Sequence, residues 1–159
     1  MLAETTVQKV LLFLFRVSIG WVLLGAGLRQ VPNAEWTAAG FLGNSPNLPG
    51  LFGALAQPPF IGIIDVLVPW AHLLIGLALV LGLFMRLSAV AGGVLLFLYY
   101  IPRFEFPAVV DYHIVYVGLL IYLATVHAGR IYGLERWLIE GSPLKGFFDG
   151  HPTIRAVAS

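Results

Sequence analysis

The chain has 159 residues, of which 59% are hydrophobic and only 11% charged, with a net charge of +1. Soluble domains carry about 25% charge, so a water-exposed surface built from this composition would be too apolar, and the chain reads as an integral protein of a lipid bilayer. The balance of charge gives no reason to expect nucleic acid as a partner. The lack of cysteine removes disulfides, thiolate nucleophiles and iron–sulfur ligation.

The first predicted span runs from Val10 to Leu28, with Lys9 ahead of it and Arg29 and Gln30 after it. Glu4 before the apolar run, Arg16 within it and no small-x-small cleavage site predict a retained helix rather than a signal peptide. Arg16 lies roughly 10 Å from the start of the span at ~1.5 Å rise per residue. Two readings stand for it: snorkelling to nearby headgroups, or facing the bundle to meet an acid or a polar ligand. The second is the one carried forward. Residues 31–59 hold five prolines and the run G-N-S-P-N-L-P-G, which break any long helix. Trp36, Phe41, Leu42 and Phe52 keep that stretch apolar, which predicts an ordered cap of short helices on the membrane surface.

The second span is read as 60–84. Asp65 and His72 are seven apart and share a face about 10 Å apart along the axis. Pro69 deprives the Asp65 carbonyl of its helical donor and predicts a kink. Asp65 either belongs to a site or pairs with Arg29 at the interface. A tight turn, M-R-L-S, leads to a third span over 87–101, where Tyr99 and Tyr100 read as an aromatic belt. The fourth span, 111–128, is D-Y-H-I-V-Y-V-G-L-L-I-Y-L-A-T-V-H-A, in which His113, Tyr116 and His127 fall on one stripe. The run R-I-Y-G-L-E-R-W-L-I-E suits a short interfacial helix, and residues 141–159 read as a polar cytoplasmic tail. The fold expected is therefore an all-α, four-transmembrane-helix bundle with an extracytoplasmic cap loop and a C-terminal interfacial helix. Lys9, Arg86, Arg130 and Arg136 fall on one side and Arg29 and Arg103 on the other. This places both termini in the cytoplasm and the chain in the cell membrane by the positive-inside rule.

Ionisable groups inside a bilayer are costly and mark sites or structural pairs. Arg103 and Glu105, in a loop, read as structural. Asp111 two residues before His113, at a helix start, reads as a proton-handling pair active at neutral pH. The pair His72 and His127 does not make a haem site by itself, and a haem is not expected; no clustered ligand set predicts a metal.

The residues also resemble a family. F-R-V-S-I-G-W-V-L-L-G-A-G-L-R (Phe15 to Arg29) is similar to the opening helix of DoxX-like membrane proteins, and H-L-L-I-G-L-A-L-V-L-G-L-F-M-R-L-S-A (His72 to Ala89) to their next hairpin. D-Y-H-I-V-Y and N-S-P-N-L-P-G-L-F-G-A-L-A resemble the DoxD-type branch, the membrane subunit of thiosulfate:quinone oxidoreductase. The resemblance implies a four-helix bundle that handles quinone, with an oxidisable sulfur compound as donor and a second subunit as partner. It carries Arg16, Arg29, Asp111 and His113 over as polar motif positions, while His72 stands where relatives have an acid. Together these readings assign Asp111, His113 and Asp65 to chemistry, and Arg16, Arg29, His72 and Tyr116 to holding a quinone. The other class of function is a non-catalytic accessory subunit of a larger respiratory or energy-converting membrane complex, joined to other membrane subunits or to copies of itself.

Overall fold

In a computed structural model the described residues are 5–107, 109–143 and 145–151. Part of the predicted polar tail, residues 152–159, lies outside them. The described elements are helical: α1 Thr6–Gln30, the short α2 Ala39–Gly43 and α3 Pro49–Leu55, then α4 Phe60–Leu81, α5 Met85–Arg103, α6 Tyr112–Thr125 and a short α7 Lys145–Gly150. Three of these, α1, α4 and α5, are long and apolar enough to cross a membrane. α6 is apolar but has only 14 residues, about 21 Å at ~1.5 Å per residue, against a hydrocarbon core of ~30 Å.

Local chemistry sets the ends. Thr5 and Gln8 form a reciprocal capping box at the start of α1. α4 runs unbroken through Pro69 and stops at Gly82, whose φ of +66° is the left-handed conformation that glycine adopts without penalty. α6 begins where Asp111 accepts hydrogen bonds from the N–H groups of His113 (3.0 Å) and Ile114 (3.2 Å).

The molecule is inside-out by soluble standards. Trp21, Val66, Trp70, Leu74, Val90 and Ile121 all stand exposed on the helix surfaces, a band far larger than soluble monomers tolerate. No comparable hydrophobic force drives helices together in lipid, so close backbone approach must do so. α1 packs along α4 and α5 along α6. Gly27 lies against the backbone of Leu73, and Gly76 against that of Leu24, so closely that a Cβ at either would collide. Gly76→Ala is therefore expected to cost about 1–3 kcal/mol through overpacking, read as a lower unfolding midpoint in detergent. An unchanged midpoint would show that the seam can spread without loss.

The core, built on Ile19, Leu23, Leu79, Leu96, Leu120 and Leu123, runs down the middle of the bundle. A second cluster, Ala38, Leu42, Phe52 and Ala56, joins α2 and α3 to Ile61 and Ile64 of α4 and Ile101 of α5. α2 and α3 thus form a roof over the ends of α4 and α5. Of the stretch over 130–140 expected as an interfacial helix, only the second half is helical: residues 128–130 form a 3-10 turn, 131–134 are irregular, and 135–141 are helical, with Trp137–Gly141 as a π-helical turn. Here the carbonyls that a continuous helix would use are taken by Arg16.

Candidate functional site

Polar groups collect in two layers. They are separated by roughly 21 Å along α1, the distance from Arg16 to Gln30 at ~1.5 Å per residue.

The first layer surrounds Arg16. Its side chain is fully buried and points into the bundle rather than snorkelling. Nη1 donates to the carbonyls of Ala128 and Ile131 (2.9 Å), and Nη2 to that of Tyr132 (3.2 Å). Gly82 and Gly133 leave room for the guanidinium, which a Cβ at either position would crowd. Beside it Glu135, also fully buried, accepts from Met85 N–H at the start of α5 (2.8 Å). The second Glu135 oxygen stands 3.7 Å from Arg130 Nε and has no hydrogen bond. Arg86 Nη2 meets His127 Nε2 at 2.8 Å. His127 therefore belongs to this layer and lies beyond the end of α6, away from the His113 stripe.

Burial pushes the Glu135 carboxyl up, against the opposing pull of Met85 N–H and of Arg130, Arg16 and Arg86. An acid whose folded value is raised binds its proton more tightly when folded, so stability falls as the pH rises from the ordinary glutamate range toward the raised value. Glu135→Gln is expected to flatten that decline, as read from melting curves across the acid range. An identical pH profile in the variant would refute the assignment.

The second layer is a file of rings near the roof. Gln30 Oε1 lies 2.8 Å from His72 Nδ1. The His72 ring faces Tyr99 at 5.5 Å, and Tyr99 lies nearly parallel to His113, 4° between planes and 6.2 Å between centroids. His113, 8% exposed, has its Nδ1 2.6 Å from Asp111 Oδ2. With Nδ1–H donated to the carboxylate, the lone pair of the neutral ring sits on Nε2. Tyr112 packs on His113 at 4.0 Å, and Tyr116 meets Tyr112 edge-on at 6.0 Å.

Beside Tyr99 a cleft of about 190 Å³ opens between α4, α5 and the roof. Among its lining residues Tyr99 alone carries a polar side chain, and among the described residues its hydroxyl has no hydrogen-bond partner. Phe41 covers Tyr99 at 5.1 Å, and the Arg103 guanidinium lies over Phe41 at 4.8 Å.

The sequence model of the DoxX family matches residues 11–101, more than half of the chain. The chain belongs to the DoxX family. No curated protein and no solved structure matches it. The DoxX segment holds Arg16, Arg29, Asp65, His72 and Tyr99, while Asp111 and His113 lie beyond its end.

The structure brings His72, His113 and Asp111 together and leaves the other expected site residues elsewhere. Arg16 is in the opposite layer. Arg29 is exposed at the end of α1. Asp65 accepts from Ala38 N–H at 2.8 Å, so it pins the roof rather than pairing with Arg29. Tyr116 packs against the core instead of facing the cleft. Residues that sequence reasoning passed over are Gln30, Glu135 and above all Tyr99. For Tyr99 a signal exists: it falls on the same helical stripe as Ser88, Gly92 and Leu95, which are buried. Tyr100 falls off that stripe, and its hydroxyl donates to Val109 O (2.6 Å).

Proposed function

We propose that this DoxX-family chain is the quinone-reactive membrane subunit of an oxidoreductase. An oxidisable sulfur compound such as thiosulfate would be the electron source, as in the DoxD-type branch that the chain resembles. In this reading four helices cross the cell membrane, the short α6 being extended by the turn that follows it. Lys9, Arg86, Arg130 and Arg136 gather at the end where α1 begins and α6 stops, which the positive-inside rule puts in the cytoplasm. The ring file and its roof then face outward.

The observation that carries the proposal is an oriented carboxylate–imidazole pair stacked on the one tyrosine that lines an apolar cleft. The cleft is smaller than the ~300 Å³ of pockets for drug-sized ligands, and so fits a single substituted ring. A bound quinone supplies an acceptor for two electrons that takes a proton at each carbonyl oxygen. Tyr99 donates a hydrogen bond into the cleft. The apolar walls exclude water, and Asp111 holds His113 with Nε2 placed to accept and release a proton. Gln30 fixes the ring of His72 on the other side of Tyr99.

The test is reduction of a quinone analogue by thiosulfate in membranes carrying the chain, with and without His113→Ala. Turnover that survives the substitution unchanged would assign the chain an accessory role.

A further inference from the structure

The cleft beside Tyr99 is closed toward the roof. Leu42 and Phe52 are buried above it, and the roof is fastened at separate points. Asp65 holds Ala38 N–H (2.8 Å), Ser45 Oγ donates to Pro102 O (3.1 Å), and Asn47 Nδ2 donates to the carbonyls of Ile101 (3.2 Å) and Phe104. The side is different. Leu67 of α4 and Leu98 of α5 line the same cleft yet are 60% and 54% exposed. Both lie within spanning helices, roughly 10 Å below the start of α4 and roughly 8 Å below the end of α5 by helix rise. That depth is inside the hydrocarbon slab rather than in water. Leu67 also lines an apolar groove on the outer face of α4 that continues past Trp70 to Leu74.

We infer that the cleft is entered from the lipid, between Leu67 and Leu98, and that its substrate is a ring with a long apolar tail that stays outside along the Leu67–Trp70–Leu74 groove. The inference rests on the quinone reading and adds the route and the substrate class. A polar or tail-less molecule arriving from water meets a fastened roof, whereas a lipid-dissolved one meets two leucine side chains. The cleft volume holds the ring only, so the tail must lie elsewhere, and the groove that shares Leu67 is apolar and continuous with the mouth.

The test is binding, free of turnover. The full chain is placed in phosphatidylcholine liposomes, and quenching of its tryptophan fluorescence is titrated with decylbenzoquinone and with the same benzoquinone lacking the alkyl tail. Leu98→Trp narrows the mouth from α5, and Leu67→Trp narrows it from α4; both positions face lipid, and an unchanged melting curve shows that each variant is folded. At binding equilibrium the tail fills the mouth and the ring does not, so each variant is expected to weaken the tailed quinone by about tenfold or more, while the tail-less ring changes by no more than about twofold. Equal weakening of both quinones, or no effect on the tailed one, shows that no tail passes between Leu67 and Leu98 and overturns the inference while leaving quinone binding intact. If the unsubstituted chain binds neither quinone, the quinone reading falls and lateral entry falls with it.

Discussion

Arg16→Met is expected to destabilise the protein by about 3–5 kcal/mol, the range for removing one partner from a buried charged cluster. The guanidinium has no exposed surface and serves three carbonyls on the chain that follows α6. Without it the buried bond to Ala128 and the part-buried bonds to Ile131 and Tyr132 are lost together, at about 1–3 kcal/mol for any group left unsatisfied. Glu135 also loses a buried cation beside it. Arg16→Lys is expected to recover little, because one ammonium cannot span three carbonyls as the planar fork does. Unfolding in detergent and protease cleavage within 128–141 provide the readout, with the segment cut faster in the variant. A variant that folds within about 1 kcal/mol of the unsubstituted chain yet loses quinone turnover would instead move Arg16 into the chemistry.

His113→Ala is expected to leave the fold nearly unchanged and to lower quinone reduction by about 10²–10⁴-fold, the usual contribution of a positioned acid–base group. The His113 backbone N–H donates to the Asp111 cap whatever its side chain, and its ring contacts are Asp111, Tyr99 and Tyr112, so truncation removes proton handling more than packing. Asp111 does double work, since one oxygen caps α6 and the other orients the imidazole. Asp111→Asn keeps a good N-cap but removes the negative charge facing Nδ1. Its expected signature is normal stability with reduced turnover, whereas Asp111→Ala loses both, the cap alone being worth about 0.5–2 kcal/mol. Equal turnover in the His113→Ala and unsubstituted chains would remove the ring file from the mechanism.

The Asp111–His113 pair was legible in the chain because both residues sit within one turn of a helix start, where a carboxylate caps and an imidazole two positions on falls within its reach. The prolines over 31–59 excluded one long helix there, and the stretch holds the short α2 and α3 packed on α4 and α5. Misplacements came where an interaction spans the chain. His72 and His127 are held apart because α4 is offset along α1, with Gly76 against Leu24. That stagger puts His72 beside Gln30 and Tyr99, and leaves His127 with Arg86. The amphipathic pattern over 130–140 gives helix only over 135–141, because Arg16, more than a hundred residues away in sequence, takes the carbonyls of Ala128, Ile131 and Tyr132.

The sequence by itself determined that this is a membrane protein of long apolar helices and that Asp111 starts α6 with His113 in its reach. These follow from composition, hydropathy and contacts within a few residues. Only the tertiary structure put Arg16 against the carbonyls of Ala128, Ile131 and Tyr132, Asp65 on the N–H of Ala38, and Tyr99 between two histidines beside an apolar cleft. Each of those depends on the axial offset between packed helices. In lipid that offset is set by where small residues let backbones meet, and no local pattern of hydrophobicity records it.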